Sequence, residues 1–198
     1  MSTLDHHAPS QIEEALTALG ETLEQRGHSY ELVLVGGANL ALQGVIARPT
    51  KDGDIVGERL ASGRVAKLDA MPEPLARAIT DVASAFGLDE GWLNLGPASL
   101  MDLGLPSGFE SRLTSRRYGT LTIWLAGRFD MICFKLYAAV DHWPTRGRHW
   151  QDLIALEAEP LEIERAAAWC QTHDPSPAFR DSLDAVVRAL TFGGSHEE

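Results

Sequence analysis

The chain lacks the features that mark several classes of protein. It has only two cysteines, Cys133 and Cys170, and both fall within apolar patterns typical of helices. Free cysteine in such surroundings behaves as a small hydrophobic residue, so we expect neither a disulfide framework nor a zinc site. No run approaches the roughly 20 apolar residues that a membrane-spanning helix needs. The N-terminal sequence MSTLDHHAPS also lacks the basic-then-apolar order of a secretory signal, and these absences together predict a cytoplasmic protein with no membrane partner.

Positive charge is also scarce. The chain has 17 lysines and arginines against 28 aspartates and glutamates, which gives a formal net charge of −11. Proteins that bind long nucleic acid duplexes usually carry a basic stripe, because neutralising phosphates supplies much of the affinity. We therefore expect no long duplex DNA as a partner. Two short basic clusters, 112–117 and 146–149, leave a short single-stranded end, such as the tip of a transfer RNA, open as a substrate.

The chain does contain enough apolar sequence for a hydrophobic core. Hydrophobic residues make up 44% of its 198 residues, a length that suits one domain with an appendage or two small domains. Residues 127–192 carry four apolar stripes with helical spacing, and prolines separate them. We therefore predict an α/β core over residues 1–126, a helical C-terminal region over 127–192 that packs on this core, and a tail over 193–198.

The segment 31–56 is the most informative part of the sequence. Its unbroken apolar run, residues 32–35, predicts a strand that is buried on both faces. Gly36 and Gly37 end this strand, and residues 38–43 suit a short helix. The segment therefore predicts a strand that passes through a tight glycine turn into a helix.

Two aspartates follow on a second extended piece. Asp52 and Asp54 are two residues apart, and side chains at positions i and i+2 of a strand point to the same face of a sheet. Glycine N–H groups at the start of a helix bind phosphate oxygens, and two convergent carboxylates are hard oxygen ligands for magnesium. The aspartate pair and the turn at Gly36 and Gly37 therefore predict a nucleotide site.

The regions between the motifs are less informative. Residues 57–72 fit either a helix or a flap, and a clear helix runs from Pro74 to Gly87. Residues 87–118 are rich in glycine and proline and predict a largely irregular excursion, which is often functional when it occurs inside a compact domain. Residues 119–126 alternate in hydrophobicity and predict a half-buried strand in the same sheet.

The order of strand, Gly-Gly, short helix and Arg-x-Thr-x-Asp-x-Asp resembles the nucleotidyltransferase superfamily, which has the DNA polymerase beta type of fold. The AbiEii-like bacterial branch is the most similar part of it, since FKLYA around Lys135, RHWQDL around Asp152 and Trp-Leu-Asn at 92–94 resemble motifs of that branch. The resemblance extends over about residues 32–153. It implies an α/β (α+β) fold in which helices flank a small mixed sheet, followed by a helical C-terminal half.

The resemblance also implies magnesium-dependent transfer of a nucleoside monophosphate from an NTP to an acceptor hydroxyl. The residues it implies are the metal ligands Asp52 and Asp54, the further catalytic residues Lys135 and Asp152, and the NTP-binding residues Gly36, Gly37, Arg48, Thr50 and Lys135. Lys135 would act as a mobile point charge that offsets charge on the leaving pyrophosphate. Asp152 has two open roles, because it could orient Lys135 or take the proton of the acceptor.

One carboxylate of the superfamily's pattern is missing. Members with two-metal catalysis usually add a third carboxylate from a later strand, and residues 119–126 contain none. Asp130 lies just beyond that strand, and Asp152 could substitute from a helix. Two alternatives follow: a site that holds a single magnesium ion, or a degenerate protein that binds nucleotide or a partner protein without catalysis.

The acceptor is open at this stage. An RNA end, a protein hydroxyl and a small molecule all suit the superfamily. The AbiEii-like resemblance favours a toxin-like role, and it implies an antitoxin protein as a further partner.

Overall fold

A computed structural model describes residues 11–192, so the tail predicted over 193–198 lies outside the described residues. The α-helices are α1 (Gln11–Gln25), α2 (Gly36–Leu42), α3 (Glu73–Phe86), α4 (Arg128–Asp141), α5 (Arg148–Ala155), α6 (Pro160–His173) and α7 (Pro177–Phe192). The strands are β1 (Tyr30–Val35), β2 (Gly53–Arg59), β3 (Val65–Ala66), β4 (Leu93–Asn94), β5 (Thr114–Tyr118) and β6 (Leu121–Leu125). None of these described helices has both the length and the apolar character needed to cross a membrane. The predicted α/β class is confirmed.

The strands form a mixed sheet. Along the sheet the order is β3, β2, β1, β6 and β5, and the short β4 pairs with β2 outside this order. β1 is antiparallel to β2 and parallel to β6, so the sheet is mixed as predicted. The parallel pairing brings the C-terminal ends of β1 and β6 to one edge, beside the start of β2. Ligand sites of α/β sheets commonly lie at such an edge.

Alternation along β1 separates two hydrophobic clusters, because successive side chains of a strand point to opposite faces. Leu32 and Leu34 belong to a cluster with the buried faces of α1 and α3. Val33 and Val35 belong to a second cluster with the C-terminal helices. All four side chains are buried, so β1 is buried on both faces as its apolar run predicts.

The C-terminal helices pack on the second face through α4. Every residue from 130 to 136 of α4 is buried, and the same cluster contains apolar residues of α5, α6 and α7. Cys133 of α4 and Cys170 of α6 are free, buried thiols, and the Sγ of Cys170 lies 3.7 Å from the carbonyl oxygen of Cys133. The helix that carries Lys135 is therefore held firmly against the sheet.

Two regions differ in detail from the sequence-based prediction. Residues 57–72, which fit a helix or a flap, form no helix, because β2 continues to Arg59 and pairs in an antiparallel manner with β3. The excursion 87–118 is less irregular than predicted, since it contains β4, β5 and two 3₁₀ helices, Gly96–Asp102 and Phe109–Arg112. β5 shows no apolar alternation because it lies at the end of the sheet and Tyr118 is its one buried residue.

Candidate active site

The candidate site begins where β1 passes into α2. Asp54 of β2 is the strand partner of Val35, the last residue of β1. Gly36 has a φ of +74°, a conformation that residues with a side chain rarely adopt. A Cβ atom at Gly36 would lie only 2.1 Å from Oδ2 of Asp54. Glycine at this position therefore lets the Asp54 carboxylate lie against the first turn of α2.

Gly37 opens the same turn to two side chains from the loop before β2. A Cβ atom at Gly37 would lie 3.3 Å from Oγ1 of Thr50 and 3.6 Å from a terminal nitrogen of Arg48. No side chain caps the N-terminus of α2. The fold thus brings together the backbone of the glycine turn, the Thr50 hydroxyl and the Arg48 guanidinium, all of which can donate hydrogen bonds to an anion.

Asp54 is half-buried and has no ion-pair partner among the described residues. Burial is the largest influence on its carboxyl group and raises the pKa of Asp54 above its usual range. A hydrogen bond from Asn94 and the positive charge of Lys135 oppose that rise, whereas the negative charge of Asp52 adds to it. Asp52 and Lys135 therefore both lie within electrostatic reach of the Asp54 carboxylate.

Asn94 is a residue of this site that the sequence analysis missed. The parallel pairing of β4 with β2 places Asn94 beside Asp54. Its Nδ2 donates to Oδ1 of Asp54 at 3.3 Å and to the carbonyl oxygen of Gly53 at 3.4 Å. Its Oδ1 accepts a hydrogen bond of 2.8 Å from the backbone N–H of Gly96, which fixes the orientation of the amide. The one signal in the sequence was the Trp-Leu-Asn stretch at 92–94.

Asp52 lies just before β2 and is exposed. The two aspartates were predicted to lie on one strand, but only Asp54 belongs to β2. Gly53 separates the two aspartates, and a Cβ atom there would lie 2.7 Å from the side chain of Leu93. Its backbone N–H also donates to the carbonyl oxygen of Trp92 at 2.5 Å. Gly53 therefore allows β4 to approach β2 closely at this point.

Asp152 of α5 binds two cations of the site. It is 1% exposed, and its Oδ2 lies 2.7 Å from Nζ of Lys135, which is itself 5% exposed. Nη2 of Arg48 donates to both carboxylate oxygens, at 2.7 and 2.9 Å. One buried carboxylate thus forms ion pairs with both a lysine from α4 and an arginine from the loop before β2. All three residues are among the predicted site residues, whereas the ion pair between Arg48 and Asp152 is not apparent from the sequence.

The ion pair changes the expected picture of Lys135. The sequence-based prediction gave Lys135 the role of a mobile point charge, whereas its ammonium group is buried and bound to Asp152. A buried ion pair fixes the position of both partners, because either charge alone would be costly to desolvate. Lys135 still acts electrostatically on Asp54 and lowers the pKa of that carboxyl group.

Among the described residues, no third carboxylate joins Asp52 and Asp54. β6 contributes no acidic residue, and Asp130 at the start of α4 is bound by Arg112, whose nitrogens lie 2.6 and 3.0 Å from its carboxylate oxygens. Across residues 11–192, no group of three or more histidine, cysteine, aspartate or glutamate side chains could hold a metal ion. Asp52 and Asp54 are therefore the carboxylates that remain for a metal bound jointly with a substrate.

A family model described as a nucleotidyltransferase of unknown function, DUF6036, matches residues 14–142. The matched region contains the glycine turn, both aspartates and Lys135, and it ends before Asp152. No match was found among curated proteins or among solved structures.

Proposed function

The chain belongs to the nucleotidyltransferase family DUF6036, and we propose that it transfers a nucleoside monophosphate from an NTP to an acceptor hydroxyl in a magnesium-dependent reaction. The observation that carries this proposal is the contact between the Asp54 carboxylate and the glycine turn at Gly36. Lys135 and Arg48, both held by Asp152, supply positive charge, and the Arg48 guanidinium lies beside Gly37 of the same turn. Carboxylates for a cation and donors for a triphosphate thus lie at one edge of the sheet.

Magnesium fits the chemistry of these residues. Mg²⁺ is commonly bound by one or two carboxylates together with substrate phosphates and water. Asp54 is a half-buried carboxylate that forms no ion pair with a described residue, and Asp52 adds a second negative charge nearby. Asp52 and Asp54 would hold the ion, which when bound neutralises charge that develops on the phosphates during transfer.

The triphosphate would be bound by groups on three segments. The backbone N–H groups of Gly36 and Gly37 and the Thr50 hydroxyl would donate hydrogen bonds to phosphate oxygens. Arg48 would contact the phosphates through the part of its guanidinium that Asp152 leaves free, since its side chain is 32% exposed. Charge-assisted hydrogen bonds of this kind are stronger than neutral ones, so Arg48 would contribute more than Thr50.

Of the two open roles of Asp152, the contacts favour orientation. Its carboxylate is almost completely buried, and both oxygens already accept hydrogen bonds from Arg48 and Lys135. A group that takes a proton from an acceptor must lie within hydrogen-bonding reach of that acceptor. We therefore assign Asp152 the role of a positioning residue that aims Arg48 and Lys135 at the triphosphate.

The acceptor we propose is a hydroxyl of an RNA end, a protein or a small molecule. The net charge of −11 argues against a long duplex. The AbiEii-like resemblance extends the proposal to a toxin-like activity in the cytoplasm that an antitoxin protein opposes.

A second candidate function is a degenerate nucleotidyltransferase that binds nucleotide or a partner protein without transfer. The specific observation in its favour is the incomplete carboxylate set: Asp52 is exposed, and no third carboxylate accompanies it among the described residues. Such a protein would bind an NTP but would not move label to any acceptor.

The test combines binding with transfer. Calorimetric titration with each of the four NTPs, with and without magnesium, detects the complex, and incubation of labelled NTPs with total RNA and cell lysate detects transfer. The Asp52→Ala/Asp54→Ala double variant should lose all transfer. A matched control, Asp69→Ala/Asp184→Ala, removes two exposed aspartates elsewhere and should keep it. Binding without labelled product would favour the second candidate, and equal transfer by both double variants would contradict the assignment of the carboxylates.

A further inference from the structure

A cavity of about 200 Å³ lies between the end of α4 and the start of α5. Its polar lining consists of His142, Thr145, Arg148 and His149, and Trp150 contributes an aromatic wall. No carboxylate lines it, although acidic residues outnumber basic ones in the chain as a whole. The cavity therefore combines several hydrogen-bonding side chains with the positive charge of Arg148 in an otherwise acidic protein.

The cavity is adjacent to the candidate active site. Ala139, which also lines it, lies one helical turn after Lys135 on α4, a distance of about 6 Å along the helix axis. Arg148 lies close enough to Asp54 to lower the pKa of its carboxyl group. His149 lies within electrostatic reach of Lys135 and Asp152. A ligand in the cavity would thus lie next to the charged groups proposed for nucleotidyl transfer.

The lining groups suit a phosphate. Arg148 is exposed and forms no ion pair with a described residue, so its guanidinium is available. Guanidinium groups bind phosphate through paired hydrogen bonds, and a hydroxyl such as that of Thr145 adds a donor. Burial, with the nearby charge of Lys135, lowers the pKa of His149 to about 4, so this imidazole is neutral at pH 7 and donates through one nitrogen.

Two further features of the backbone and side chains favour an anion in the cavity. A hydrogen bond of 2.9 Å between Nδ1 of His142 and the carbonyl oxygen of Ala138 fixes the position of the His142 ring in the cavity lining. The first N–H groups of α5 have no side-chain cap, since its N-cap residue is Gly147. These groups add to the positive potential at this end of the helix.

We infer that the cavity is a phosphate-binding subsite beside the catalytic carboxylates. The inference rests on the proposed function for its ligand, because a nucleotidyl transfer offers two sources of phosphate. One source is the triphosphate of the NTP donor. The other is a phosphate of the acceptor, which would make the acceptor a phosphorylated molecule such as a nucleic acid end.

Binding measurements on the whole protein distinguish the sources. The donor probe is an ATP analogue with a methylene group between the α and β phosphorus atoms, in the presence of magnesium. The acceptor probes are the dinucleotide pApA, which carries a 5′ phosphate, and ApA, which lacks it. The variants are Arg148→Gln and Thr145→Val. Arg146→Gln is the matched control, since it removes the same charge two residues from Arg148. The side chain of Arg146 does not line the cavity and stacks on Trp150.

We expect Arg148→Gln to weaken binding of one phosphate probe about tenfold, and Thr145→Val to weaken the same probe about threefold. Thr145→Val changes no charge, so its effect cannot arise from altered electrostatics at Asp54. Loss confined to the ATP analogue assigns the cavity to the donor, and loss confined to pApA with ApA unchanged assigns it to the acceptor.

The inference is overturned if both variants bind both probes as the wild type does, or if Arg146→Gln loses as much affinity as Arg148→Gln. Circular dichroism and thermal melting of each variant establish that the fold is retained. If the wild-type protein binds no ATP analogue, the proposed function is contradicted instead. The pApA measurement then still tests whether the cavity binds phosphate.

Discussion

Asp152→Asn tests the electrostatic core of the site. Asparagine keeps the shape of the side chain and removes its charge. The ammonium group of Lys135, 5% exposed and 2.7 Å from the carboxylate, would then be buried without its counter-charge. Arg48 loses the same partner, but its side chain is 32% exposed and can turn to water. The cost of the substitution therefore arises mainly at Lys135.

The magnitude follows from the burial of the pair. Removing one partner of a buried ion pair typically costs about 3 to 5 kcal/mol, because an uncompensated charge remains. The reciprocal change, Lys135→Met, leaves Asp152 with two hydrogen bonds from Arg48, so we expect a smaller cost of about 1 to 2 kcal/mol. The double variant Lys135→Met/Asp152→Asn removes both buried charges of this pair, and it should be more stable than Asp152→Asn alone.

Urea denaturation at pH 7, followed by tryptophan fluorescence, measures these free energies of unfolding. In a chain of this length 1 kcal/mol corresponds to about 2 to 4 °C, so Asp152→Asn should lower the melting temperature by about 10 °C. Asp184→Asn, an exposed control, should stay within about 0.5 kcal/mol of the wild type. The reasoning is refuted if Asp152→Asn costs less than about 1 kcal/mol, or if Lys135→Met costs as much as Asp152→Asn.

Three further predictions concern the carboxylate side of the site. Gly36→Ala should abolish transfer by displacing Asp54. Gly44 has a similar φ of +75° and open space around it, so Gly44→Ala should show only the conformational cost of about 1 to 2 kcal/mol. Thermal unfolding and label transfer compare the two variants. Asn94→Ala should shift the acidic limb of the transfer-rate profile to higher pH, because the hydrogen bond it removes lowers the pKa of Asp54; an unshifted limb would contradict this. Asp54→Asn should abolish transfer yet stabilise the magnesium-free protein at pH 7. The folded-state pKa of Asp54 is raised, so its stabilising contribution is present below the unfolded pKa of about 3.9 and is lost as pH rises through the folded value. Urea denaturation at pH 7 and pH 3 should show a gain that disappears at the lower pH.

The parts of the site that the sequence predicts are those fixed by local rules. Gly36 and Gly37 follow a buried strand directly, and their turn is determined by backbone conformation within a few residues. The aspartate pair belongs to the next extended segment, which pairs with that strand. Short-range pattern was therefore sufficient to identify the glycine turn and Asp54 as neighbours in the sheet.

The ion pairs required information that the sequence does not carry locally. Arg48 and Asp152 are 104 residues apart, and only the packing of α5 beside the sheet brings them together. Lys135 follows Phe134 and precedes Leu136 on α4, and all three are buried, so helical periodicity could not decide which way the lysine points. Asn94 could not be predicted for a similar reason, because β4 has only two residues and its pairing with β2 depends on the tertiary fold.

The charges of the site are balanced before any ligand binds. Its carboxylates are Asp52, Asp54 and Asp152, and its cations are Arg48, Lys135 and Arg148. A triphosphate alone would add negative charge beside the two unpaired carboxylates, and magnesium alone would add positive charge beside the three cations. Bound magnesium therefore reduces the repulsion between the triphosphate and the carboxylates, and the bound triphosphate reduces the repulsion between magnesium and the cations. Such coupling between two ligands is reciprocal. Two unit charges 4 Å apart near a protein surface interact by about 4 kcal/mol, so even a third of that value makes NTP binding about tenfold weaker without magnesium. Equal NTP affinity with and without magnesium in the titrations would show that the carboxylates and the phosphates do not share one site.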